Sequence, residues 1–136
     1  MNYGFNDNKS RVDMTTGVDQ ADLSSFVRYD KGTKNITASS FKVSSARKFK
    51  ENIHPTVFNG LATINKVEVV DYNYIDDTSK APKVGLIADD CPAILAAPDR
   101  MSLDMNNCIG VLMKAVQELS NKVEILEKRV KELESL

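Results

Sequence analysis

A serine hydroxyl becomes a nucleophile when a neighbouring base takes its proton. A lysine can be that base where burial or nearby positive charge favours its neutral form. The stretch Ser45-Ala46-Arg47-Lys48-Phe49-Lys50-Glu51-Asn52-Ile53 holds both groups five residues apart. Arg47 and Lys48 put positive charge beside Lys50, and Phe49 and Ile53 offer apolar cover. Spacing alone is weak evidence: 11 serines and 13 lysines in 136 residues give about one such pair by chance, and Ser45 with Lys50 is the one present. The bland alternative is a solvated basic turn.

Other chemistries find less support. The two cysteines, Cys91 and Cys108, lack metal-ligand spacing and have one histidine, His54, to help them, so no metal site is expected. The pair reads as two reduced thiols. Asp89-Asp90 reads as two solvated carboxylates on a loop, without a third ligand. No glycine-rich phosphate loop is visible and no cofactor is expected. With 18 basic and 19 acidic residues, net charge is −1, which recruits neither nucleic acid nor an anionic membrane. No apolar run reaches the roughly 20 residues of a membrane span, and the first residues lack the basic start and apolar stretch of a signal peptide. Asn35-Ile36-Thr37 is then a chance match to the glycosylation pattern.

Around the Ser45 stretch, the chain reads as short elements. Residues 1 to about 24 are polar and without period, a loop or the tail of something larger upstream. Phe26 to Tyr29 and Ile36 to Val43 read as two strands joined by the turn Asp30 to Asn35. Pro55 suits the first turn of a short helix to about Asn65, with Val57, Phe58, Leu61 and Ile64 on one face. Val67 to Tyr74 alternates like a strand, with a bulge signalled at Val69-Val70. The polar turn Asp76 to Pro82 leads to a second strand, Lys83 to Ala88, completing an antiparallel hairpin. Asp89 to Met101, with Pro92 and Pro98, reads as loop.

The last segment, from about Asp104 to Glu134, is periodic. Ile109, Val116, Val123 and Val130 occupy heptad position a, and Leu112, Leu119, Leu126 and Leu133 occupy d, for four uninterrupted heptads. Lys122 with Glu127 and Arg129 with Glu134 are attractive pairs in a parallel register, so a parallel self-association is expected. β-Branched a with leucine at d leans toward two strands. Met113 at e and Ala115 at g widen the apolar stripe, which suits three, and periodicity leaves the number open. A helix of about 46 Å also outruns a core this small, which argues against packing on its own domain alone. Cys108 falls at g, where packing accounts for it.

Three blocks occur in one order: Ser45 to Ile53, then Gly85-Leu86-Ile87-Ala88-Asp89-Asp90, then Val111-Leu112-Met113-Lys114-Ala115-Val116-Gln117-Glu118-Leu119 running into the heptads. Together they resemble the C-terminal intramolecular chaperone domain of phage tailspikes and endosialidases, the S74 peptidase family. The likeness spans roughly residues 45–133, and a neck-appendage or tail-spike protein is the upstream source it most resembles. The resemblance implies a homotrimeric folding template at the end of a β-rich spike, which brings three chains into register and then cuts itself off. It assigns the nucleophile to Ser45, the base to Lys50 and the scissile bond to Ser44–Ser45. Ala46, Lys48 and Asn52 become supporting positions. The family usually has Asp or Ser where Ala46 stands, and Arg where Lys48 keeps the charge.

The expected fold is α+β: short hairpins and helices, then a long C-terminal helix forming a parallel trimeric coiled coil. The resemblance divides the chain into the end of the spike (1–44), a globular chaperone part (45–103) and the coiled-coil helix (104–136). Expected partners are two further copies and the upstream spike of the same polypeptide, with no nucleic acid and no membrane. The expected setting is the host cytoplasm during virion assembly, the spike portion ending on the virion. A trimerisation foot that never cuts is the competing reading. A membrane-tethered transcription factor released by the same cleavage is a third, poorly supported because no membrane span follows within the chain.

Overall fold

The computed structural model describes residues 30–33 and 35–136, together with the backbone of the strands at 4–6, 11–13 and 27–29. Among the described residues the architecture is α+β: three separate two-stranded antiparallel pairs, two single-turn 3₁₀ segments, a five-residue helix and one long C-terminal helix. The chain forms two compact units that interleave in sequence. One comprises residues 1–53 and 73–82, the other residues 54–72 and 83–136.

In the first unit, β1 (Gly4–Asn6) pairs with β2 (Arg11–Asp13), and β3 (Val27–Tyr29) pairs with β4 (Ile36–Ala38). The β1–β2 pair replaces the expected loop. Its strands have three residues each, too short to leave an alternating pattern in the sequence. Residues 1–3, 7–10 and 14–26 lie outside the described residues, as does Lys34. The β3–β4 hairpin stands where expected, but its second strand ends at Ala38 and not at Val43. Its turn is held by Asp30, whose carboxylate accepts from the Gly32 and Thr33 amides at 2.8 and 3.0 Å. Thr78 of the 73–82 loop donates its amide to the Gly32 carbonyl at 3.0 Å. Asp77 fixes that loop from inside. Its side chain is 2 % exposed and accepts from the Ser79 amide and hydroxyl at 2.8 and 2.7 Å.

In the second unit, α1 spans Gly60–Ile64, and β5 (Val70–Tyr72) pairs with β6 (Lys83–Gly85). The helix does not begin at Pro55. Residues 54–59 are non-helical and exposed, because Asn59 caps the helix and accepts from the Ala62 amide at 2.9 Å. Val57, expected on the buried face of a longer helix, is 91 % exposed. Strand β6 also stops short of Ala88, and Leu86 and Ala88 instead reach a small core built on Cys91, Leu95, Ala96 and Val111. Arg100, in the left-handed region at φ 60°, ties the 89–100 segment together by donating to the Asp89 and Cys91 carbonyls at 3.1 and 2.7 Å.

α2 is a single helix, Met105–Glu134, about 45 Å long. Asp104 caps it, accepting from the Asn107 amide at 2.9 Å. It carries two apolar stripes. The stripe that meets its own unit runs through heptad positions c and g. Asp104 donates its amide to the Leu95 carbonyl, the Cys108 thiol lies 3.5 Å from that same carbonyl, and Val111, Ala115 and Glu118 meet α1. Ala115 is 3 % exposed, so it serves the fold of its own chain and does not widen the seam as expected. The a/d stripe makes no such use of its side chains. Ile109, Leu112, Val116, Leu119, Val123, Leu126, Val130 and Leu133 are all between 47 and 61 % exposed.

Candidate functional site

Five residues of extended chain would hold two side chains roughly 17 Å apart. Ser45 and Lys50 are brought together because one 3₁₀ turn, Arg47–Phe49, folds the chain between them. Phe49 donates its amide to the Ala46 carbonyl and Lys50 donates to the Arg47 carbonyl, each at 3.0 Å. Ala46 and Lys50, extended on either side of the turn, aim the flanking side chains back at one another. Lys50 Nζ then lies 2.5 Å from Ser45 Oγ and donates to it. Asn52, two residues on, takes the left-handed conformation at φ 53° that asparagine tolerates, which redirects the chain out of the turn.

The remaining positions are less closely engaged. Ser44, the residue before the expected cut, lies in exposed chain without regular secondary structure. Lys48 sits over the Phe49 ring, with Nζ 5.0 Å from its centroid, and not on the serine. The Ala46 methyl brings no hydrogen-bonding group to Ser45. All residues from 39 to 59 are exposed in the single chain, Ser45 and Lys50 included. His54 is spent locally, its Nδ1 3.0 Å from the Pro55 carbonyl.

Chemically, the arrangement can move a proton between a hydroxyl and an amine. Among the described residues no group of three or more His, Cys, Asp or Glu side chains converges as a metal site. No described helix is long and apolar enough to cross a membrane. Burial raises the Cys108 thiol above its ordinary value, with Cys91 and then Asp104 adding to the effect and a backbone hydrogen bond opposing it. That thiol packs against the core and is not a poised nucleophile.

Two residues that hold the second unit together carry no expected role in the sequence. Gly60 is buried where α1 crosses α2. A Cβ there would stand 2.5 Å from the Ala115 nitrogen, 2.8 Å from the Val111 oxygen and 3.0 Å from the Lys114 carbonyl carbon. Glu118 reaches across the same crossing, accepting from the Gly60 amide at 3.2 Å and the Leu61 amide at 2.7 Å. Nothing local in the sequence pointed to a carboxylate nearly sixty residues away.

The first unit carries a hydroxyl–amine pair on an exposed turn and the second a long helix with an exposed a/d stripe, and the comparisons fall into that setting. Residues 45–99 match the Peptidase S74 family model, described as the chaperone of endosialidase, and the match opens on Ser45 itself. The match covers 55 of the 136 residues. Comparison of the chain with curated proteins and with solved structures returns no match.

Proposed function

We propose that the protein is a homotrimeric intramolecular chaperone for an upstream phage tail spike or neck appendage of the same polypeptide, and that it releases itself by cutting at Ser44–Ser45. The observation that carries the cleavage reading is the 2.5 Å approach of Lys50 Nζ to Ser45 Oγ, at the first residue of the family match. Ser45 Oγ attacks the Ser44 carbonyl carbon while neutral Lys50 takes the hydroxyl proton. The C–N bond breaks, Lys50 returns the proton to the departing Ser45 amine, and an ester now joins the two residues. Water hydrolyses the ester, leaving a carboxylate on Ser44 and restoring the Ser45 hydroxyl. Attack is intramolecular, so the entropy of bringing the groups together is met by the fold.

Assembly supplies what the single chain lacks. A general-base lysine needs its neutral form, which burial favours, and both members of the pair are exposed in one chain. In the proposed trimer the pair becomes covered on assembly, which couples cutting to correct assembly. The setting is the host cytoplasm during virion assembly. A longer chain extending upstream tests the reading by gel and N-terminal sequencing. A fragment beginning at Ser45, absent in Ser45→Ala while the trimer persists, is the expected result; a normally cleaved Ser45→Ala removes Ser45 from the mechanism.

A second reading, a permanent trimerisation foot, is favoured by Ala46. Its methyl cannot orient the hydroxyl or the amine as a carboxylate would. One intact band from the longer wild-type chain, with the trimer present, supports that reading.

A further inference from the structure

Gly60 and Gly110 both sit against or within α2, yet one is explained and the other is not. At Gly60 a side chain would strike helix backbone; at Gly110 a Cβ would meet nothing within 4 Å. A glycine inside a helix weakens it relative to alanine, and no contact of its own chain requires it there. Gly110 instead forms part of the floor of a groove of about 280 Å³, walled by Phe58, Ile94, Val111 and Lys114.

The two stripes of α2 say what stands over that groove. Around the helix, position g flanks the a/d seam on one side, with c beyond it, and position e flanks it on the other, with b beyond. The chain's own globular part occupies the g/c flank throughout, through Asp104, Cys108, Val111, Ala115 and Glu118. The e position on the other flank is open at Met113, 63 % exposed, while at Gly110, position b, the groove has this chain's own Phe58 and Ile94 as its far wall. In a parallel coiled coil the g flank of one helix faces the e flank of the next. The copy that joins the seam therefore brings its globular part against this chain's e/b flank, on the same turns as Ile109 and Leu112.

We infer that the groove at Gly110 is the seat for a second copy of this chain, whose α1-bearing face docks there, so that three globular parts interlock in a closed ring above the coiled coil. This rests on the parallel coiled-coil reading of α2 and goes beyond it. The seam alone would leave the globular parts independent, whereas the Gly110 seat fixes their rotation about the axis.

The test uses the full chain and three proteins: wild type, Gly110→Ala and Gly110→Phe. Position 110 has open space in the monomer and both substitutions favour helix, so each chain keeps its own fold by circular dichroism. Sedimentation equilibrium should show Gly110→Phe assembling at least tenfold more weakly than wild type, with Gly110→Ala between them. Gly110→Phe assembling as tightly as wild type overturns the seat. A monomeric wild type instead overturns the coiled-coil reading beneath it, and the two failures are thereby distinguished. If Gly110→Phe misfolds, hydroxyl-radical footprinting of wild type against a seam-broken Leu119→Asp monomer decides the matter. The seat requires at least threefold protection of Phe58 on assembly, and equal oxidation of Phe58 in the two proteins refutes it.

Discussion

Replacing Gly60 by alanine separates two physical effects of opposite sign. In an open helix the change stabilises by about 0.5–1 kcal/mol, because alanine loses less backbone freedom on folding. Here the new methyl carbon stands 2.5 Å from the Ala115 nitrogen and 2.8 Å from the Val111 oxygen, both backbone atoms of α2 that no rotamer change can move. The helices must part by roughly 1 Å, an overpacking cost of about 1–3 kcal/mol. Parting also stretches the Gly60-to-Glu118 hydrogen bond beyond its present 3.2 Å. A charged acceptor of this kind contributes about 1.5–3 kcal/mol when buried, and partial exposure of Glu118 reduces that to about 1 kcal/mol. The net expectation is a loss of about 2–3 kcal/mol, a fall in Tm of roughly 10–20 °C for a unit of this size. Urea unfolding followed by circular dichroism measures it, with protomer concentration held fixed because self-association adds to apparent stability. A Gly60→Ala protein as stable as wild type, or more so, refutes the account of the helix crossing.

Lys50→Arg keeps the positive charge but cannot lose its proton. Cleavage of the longer chain should slow by about 10²–10⁴-fold, the usual contribution of a general base, with the trimer retained. Leu119→Asp places a carboxylate in the seam of every copy, where leucine is 50 % exposed in the single chain. Forfeiting the remaining burial, about 1 kcal/mol per chain before any charge penalty, should weaken assembly at least 100-fold by sedimentation, while the second unit stays folded. The Cys108 thiol, raised chiefly by burial, is favoured in its protonated form by folding. Its stabilising contribution is therefore complete below the ordinary thiol value and is lost as pH rises through and above it. Maleimide labelling of folded protein at pH 8 should accordingly be slower at Cys108 than after unfolding in urea.

The long helix and its open stripe were legible because a 3.5-residue repeat kept for four heptads leaves a strong pattern, whatever surrounds it. Ser45 and Lys50 were legible as residue types, and their meeting was expected from the family resemblance, not from the spacing. It depends on a single 3₁₀ turn, too short to leave a period, and on two extended neighbours. The β5–β6 hairpin was announced by alternation and by Pro82, although its strands proved shorter than the apolar runs, since Leu86 and Ala88 leave the sheet for the core. The start of α1 was misplaced because Pro55 and Asn59 are both acceptable openings, and the choice falls to contacts made by residues far along the chain. The second stripe of α2 was hidden for the same reason. Its members, Asp104, Cys108, Val111, Ala115 and Glu118, mix acid, thiol and small apolar groups, and only the surface they meet makes them one face.

The grip of Glu118 on the amides that open α1 has a temporal consequence. Ribosomes deliver a polypeptide from its amino end, so Gly60 and Leu61 emerge while the carboxylate that will hold them is still untranslated. Five residues cannot sustain a helix unaided, and this turn must wait, unformed, until the middle of the terminal helix appears. The second unit is thus completed only after the middle of that helix has been made.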